Sequence, residues 1–152
     1  MLWKYLLVVL VAMVPVIELR GAIPIGMGMG LDFWPVFICS FIGNILPVPI
    51  IILFVRKVFA WMRKISPKLD TIVTKIENKA LAKSETVKKY QLLGLFIFVA
   101  IPLPGTGAWT GALIAALLDM RLKSAFPAIS LGVLVAGIII SIVSYGAFSL
   151  FT

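Results

Sequence analysis

IELRGAIPIGMGMG, residues 17–30, sets a glutamate and an arginine, Glu18 and Arg20, inside an otherwise apolar stretch. Either these charges end a membrane span or they sit within the membrane for a purpose. The rest of the chain shows that a membrane is involved. Of 152 residues, 62% are hydrophobic and 13% charged, with mean hydropathy +1.15. Soluble domains average roughly 45–50% apolar residues. The excess is gathered into blocks at 5–17, 33–55, 92–118 and 124–151, and a spanning helix takes about 20 such residues. The chain reads as an all-α membrane protein with a single integral domain over 1–152. The first block follows Lys4 but no small-residue cleavage pattern succeeds it, so it is read as part of that domain rather than a removable signal.

The net charge of +8 is concentrated. Residues 56–89 hold ten Lys/Arg against three acids, a net +7. Basic residues gather on the cytoplasmic side because they resist translocation, and there they touch anionic lipid. A nucleic-acid partner is not expected. Histidine is absent and Cys39 is the only cysteine, which excludes an internal disulfide and an ordinary Cys/His zinc site. Cys39 reads as a packing residue. Three of the six acids lie in the basic segment, so no nucleophile–base pair is supplied, and no enzyme, metal or cofactor is expected. GMGMG follows no strand and is not a nucleotide fingerprint.

The basic segment contains its own helix. Ser66 can cap and Pro67 suits the first helical position. Leu69, Ile72, Val73, Ile76 and Ala80 then recur on one face. The pattern predicts an amphipathic helix over 67–88 on the cytoplasmic membrane surface or packed on the protein.

The segments on either side resemble each other. Ala22-Ile23-Pro24-Ile25 matches Ala100-Ile101-Pro102-Leu103, glycines follow both, and each half proceeds through a charged corner into a long span. Proline with several glycines interrupts a helix. At membrane depth the freed backbone groups survive only inside protein or beside a watery cavity. Paired breaks in two halves point to an inverted repeat with a site at the midplane. One arrangement has four ordinary spans. The other has re-entrant hairpins at 3–31 and 91–118 and spans at 33–55 and 124–151. The second places 56–90, Arg121 and Lys123 on one side, at the expense of Lys4, and is preferred. Tyr5–Ile17 is thirteen residues, about 20 Å of helix, which suits a half-depth arm better than a roughly 30 Å core.

The candidate site follows from the breaks. Glu18 and Arg20 are either loop residues snorkelling to water or a buried pair at a tip broken around Gly21 and Pro24. Arginine offers a planar fork to phosphate or carboxylate, and a glutamate in a low-dielectric surrounding can carry a proton. The second break, Pro102, Pro104, Gly105, Thr106, Trp109 and Thr110, offers hydroxyls and unpaired N–H groups at a half-helix start, or else close packing without a ligand. Asn44, in Gly43-Asn44 ahead of Pro47 and Pro49, is a further polar point that either bonds across helices or lines the site. Trp109 is as readily a packing or belt residue.

ELRGAIP at 18–24, GN at 43–44, PVP at 47–49 and IPLPGTGAWTG at 101–111 resemble the small multidrug export family of prokaryotic membrane proteins, over nearly the whole chain. That architecture is similar to the DedA/VTT superfamily. The resemblance implies two oppositely oriented re-entrant hairpins and proton-linked movement of phospholipids or polyprenyl phosphates, with Glu18 as the membrane-embedded acid and Pro24 and Pro102 at hairpin tips. DedA-like proteins carry arginines around the second proline motif. Here Phe98, Val99, Ala100, Thr106 and Gly107 stand there.

The expectation is thus a multi-pass transporter of the prokaryotic inner membrane. It would have two inverted repeats, each a re-entrant hairpin plus a transmembrane helix, joined by the cytoplasmic amphipathic helix. It would move an amphiphile such as a lipid phosphate, coupled to protons, as a homodimer among membrane lipids. The alternatives are a small multidrug exporter of hydrophobic cations and a non-transporting scaffold.

Overall fold

The computed structural model of the protein describes residues 2–15, 17–102 and 106–151. Among these residues there is no strand, and the helices run in the order α1 (Leu2–Met13), α2 (Glu18–Gly28), α3 (Phe33–Ile45), α4 (Pro47–Ile65), α5 (Pro67–Ala82), α6 (Glu85–Tyr90), α7 (Leu92–Ala100), α8 (Ala108–Leu117) and α9 (Leu122–Phe151).

Two helical stretches are long and apolar enough to cross a membrane, Phe33–Ile65 and Leu122–Ala147. The first joins α3 to α4 through Leu46, which keeps helical dihedrals (φ −56°, ψ −45°) ahead of Pro47. Its 33 residues measure about 50 Å, well beyond a hydrocarbon core of about 30 Å. The sequence placed this span at 33–55, yet the helix continues to Ile65. Arg56, Lys57, Arg63 and Lys64 end the apolar part, but Arg and Lys are good helix formers. A charge terminates the membrane segment without terminating the helix.

α1 and α2 form a helical hairpin. α1 has 12 residues and α2 has 11, so each arm is about 17 Å long. Gly26 of α2 faces Val8 and Val36, while Gly43 of α3 faces Val9 and Ala12. α1 therefore runs alongside α3 in the same direction, and α2 returns against both. At Gly43 a Cβ would stand 2.5 Å from the Val9 carbonyl oxygen, so only glycine lets α1 approach this closely.

The break differs from expectation. It lies between the end of α1 at Met13 and the start of α2 at Glu18, and α2 runs unbroken through Gly21 and Pro24. Inside the helix Pro24 removes one ladder bond, which the packed α2 tolerates. The chain turns instead beside Pro15, where Glu18 adopts φ +49°.

α7 and α8 form the second hairpin. Gly111 faces Val99 and Leu95, and Gly132 of α9 faces Val99 and the Phe96 carbonyl. α3 and α9 run antiparallel: Phe33 packs edge-on against Tyr145 at 6.4 Å, and Gly137 faces Phe37 and Leu19. At the opposite end, Arg56 of α4 bonds Asp119 at the α8–α9 corner. The first hairpin thus opens toward the Phe33–Tyr145 end and the second toward the Arg56–Asp119 end. One buried cluster, including Leu19, Ile23, Val48, Val99, Ile114 and Ile129, joins them.

The basic segment is two helices rather than one over 67–88. Ser66 caps α5 by accepting from the Lys68 N–H at 3.2 Å. The helix stops at Ala82, where buried Ser84 donates its hydroxyl to the Leu81 carbonyl at 2.6 Å. That bond offers the chain an alternative to the helical ladder. Val73 and Ala80 are buried, whereas Ile72 and Ile76 are about two-fifths exposed. The packed line is narrower than the apolar face written in the sequence.

Candidate functional site

The hairpin tips meet between α3 and α9. Glu18, first residue of α2, is only 3% exposed. Its left-handed backbone, which costs a non-glycine residue about 1–3 kcal/mol, turns the chain out of the α1–α2 link. Its carboxylate reaches the start of α8, where Oε2 accepts from the Ala108 N–H and Oε1 from the Trp109 N–H, each at 3.1 Å. The first N–H groups of a helix have no partner of their own and carry partial positive charge. One carboxylate satisfies two of them with charge-assisted bonds. A Cβ at residue 107 would lie 1.9 Å from Oε2, so Gly107 is what allows Glu18 to reach α8.

Arg20 crosses beside it. Its Nη2 donates to Thr106 Oγ1 at 3.0 Å and to the Ile101 carbonyl at 3.3 Å. Thr106 donates to the same carbonyl at 2.7 Å. A third link is made by Trp109, whose Nε1–H donates to the Met13 carbonyl at 2.9 Å. Side chains of one tip thus bond the backbone of the other in both directions.

Asn44 of α3 is 3% exposed and shares a narrow crevice with Glu18, Arg20, Gly107 and Ala108. The crevice is too tight to admit a water molecule. Asn44 Oδ1 and, one helical turn earlier, Ser40 Oγ are buried without a hydrogen-bond partner. Such groups cost free energy comparable to a lost hydrogen bond. Beyond Trp109 an apolar groove of about 360 Å³ runs between α4, α5 and α8, lined by Pro15, Val55, Phe59, Ile76, Trp109 and Thr110 among others.

Glu18, Arg20, Thr106 and Trp109 are therefore in one bonded group, Asn44 lines the same crevice, and Thr110 faces the groove. Pro24 lies inside α2 away from the tip, and Pro102 stands in the link two residues past the end of α7. Pro104 and Gly105 fall outside the described residues. Two of the α8 N–H groups expected to be unpaired, those of Ala108 and Trp109, are taken by Glu18. Sequence reasoning did not single out Gly107 and Ala108 as contact points for Glu18, nor Met13 as an acceptor, since backbone partners carry no residue signature. It also passed over Ser40, whose i, i+4 spacing from Asn44 in an apolar helix was a readable signal.

The family model described as "Putative small multi-drug export protein" matches residues 18–139 of this chain. No curated protein and no solved structure matches it.

Proposed function

This chain belongs to the small multi-drug export protein family, and from that premise we propose that it is a proton-coupled membrane exporter of hydrophobic, cationic amphiphiles. The two hairpins are re-entrant, enter from opposite faces as inverted repeats, and meet near the midplane. The observation that carries this reading is the pair of hydrogen bonds that the Glu18 carboxylate accepts from the start of α8. The Ala108 and Trp109 N–H groups and the Arg20 guanidinium already bond acceptors within the protein, which leaves less to attract an anionic headgroup, whereas Glu18 offers negative charge. The apolar groove beside Trp109 takes the hydrophobic body of the substrate.

In the mechanism, the carboxylate holds the tips together while it is ionised. Protonation removes the charge that both N–H groups address, and one oxygen becomes a donor facing donors. The tips then part, and the cation and the proton occupy Glu18 in turn. Asn44 Oδ1, lacking a partner in the closed crevice, accepts a bond once the crevice widens. With two full spans per chain, a pathway is enclosed by two copies, so the working unit is a homodimer. The localisation that fits is the inner membrane, with 56–90 cytoplasmic.

The test is proton-driven transport of a fluorescent hydrophobic cation in liposomes. Glu18→Gln keeps size and cannot titrate, so gradient-driven transport should vanish. Undiminished transport by Glu18→Gln would refute the mechanism. A second reading, movement of a lipid or polyprenyl phosphate, is favoured by the Arg20 guanidinium between the tips. Faster cation transport by Arg20→Ala supports the first reading, while loss of lipid-phosphate movement by Arg20→Lys supports the second. A scaffold would tolerate both changes.

A further inference from the structure

Away from the tips, a pocket of about 400 Å³ opens where the start of α7 meets the α8–α9 corner. Leu92 and Met120 line its apolar side, and Lys88, Gln91, Arg121 and Ser124 its polar side. Asp119, beside the pocket, pairs with Arg56, and Asp70 and Glu77 of α5 pair with Arg63. Among the described residues, Lys88 and Arg121 have no ion-pair partner. Two cations lining one pocket repel each other, and Glu85, three residues before Lys88 on α6, makes no ion pair with either among the described residues. The backbone around the pocket is also unusual. Gln91 has φ +53° and ψ −120°, and Asp119 has φ +58°. Non-glycine residues hold such conformations only where the surroundings impose them.

We propose that this pocket binds the phosphate headgroup of an anionic membrane lipid. Lys88 and Arg121 hold the phosphate, Arg121 through its planar fork. Gln91 and Ser124 bond the remaining oxygens, and Leu92 and Met120 cover the first methylenes of the acyl chains. The pocket's position fits this occupant. It lies at the start of the apolar helix Leu122–Ala147 and adjoins the basic segment 56–89, where headgroups of an inner leaflet stand. A free phosphate would leave the apolar wall uncovered, so the lipid is the better match. A bound lipid would fasten α6, α7 and α9 at the open end of the second hairpin.

The experiment uses purified full-length protein in detergent, titrated with phosphatidylglycerol and read by native mass spectrometry. Lys88→Gln with Arg121→Gln is compared with Lys75→Gln with Lys79→Gln, which removes the same charge from exposed positions on α5. Unchanged thermal unfolding of both double variants establishes that they are folded. The first pair should weaken retention of one phosphatidylglycerol on the order of thirtyfold, the effect of two basic contacts, and the control pair by much less. Phosphatidylcholine should be retained poorly by all. Equal losses in both pairs, equal retention of phosphatidylcholine, or displacement of the lipid by millimolar inorganic phosphate would each overturn the proposal.

Discussion

Gly107→Ala isolates the contact between the hairpin tips without touching any of its polar groups. Gly107 has φ −86° and ψ −174°, an extended backbone open to any residue, so alanine brings no conformational penalty of its own. Its methyl group, however, would stand 1.9 Å from Glu18 Oε2, 2.4 Å from Cδ and 2.5 Å from Oε1. The carboxylate must move, and it is anchored by two N–H bonds. Hydrogen bonds to charged groups contribute about 1.5–3 kcal/mol each in soluble proteins, while interhelical ones in membranes run lower, at about 0.6–1.7 kcal/mol. Loss of both should cost about 2–4 kcal/mol. The assay is equilibrium unfolding in mixed micelles, followed by tryptophan fluorescence, as a double-mutant cycle with Glu18→Ala. Once the carboxylate is absent, alanine at 107 has nothing to displace, and its cost should fall below about 0.5 kcal/mol. An equal cost in both backgrounds would show that the methyl group clashes elsewhere and that the tip contact has been misjudged.

Three further outcomes are expected. Asn44→Leu removes a buried oxygen that has no partner, so it should be neutral or stabilising by up to about 1 kcal/mol in the same unfolding assay, while transport falls. Val73→Asp should destabilise by about 3 kcal/mol or more because Val73 is fully buried, whereas Ile72→Asp, at an exposed position, should cost under about 1 kcal/mol. In a Cys39→Ser background, single cysteines at 32 and 122 should react with an impermeant reagent from outside and inside respectively, and outside labelling at 122 would overturn the re-entrant arrangement.

The helical architecture and the two apolar spans were legible because membrane solvation leaves a long-range mark in composition: runs of apolar residues, then basic ones. The ends of helices were less legible. α4 passes its apolar boundary because lysine and arginine favour helix as readily as the residues before them. α2 passes Pro24 because one missing ladder bond is a local loss that packing outweighs. The turn at Glu18 rests on a left-handed backbone at a glutamate, which no propensity announces. Within the candidate site, Glu18 and Arg20 stood out because charge in an apolar stretch is conspicuous. Their acceptors and donors are largely main-chain groups of Ile101, Ala108 and Trp109, and these belong to every residue type.

The bond between Glu18 and α8 also imposes an order on how the protein is made. The partners lie 90 and 91 residues further along the chain, and the acceptor of Arg20 in the second tip lies 86 residues further. At about 5–20 residues per second of synthesis, Glu18 leaves the ribosome several seconds before the N–H groups that will receive it exist. In the re-entrant arrangement proposed above, an ionised carboxylate would not rest in lipid during that interval, and α1 with α2 would wait near the headgroups with its tip in water. In that arrangement the first hairpin would reach its final depth only after the second is synthesised. The last third of the gene decides where residues from its first eighth come to lie.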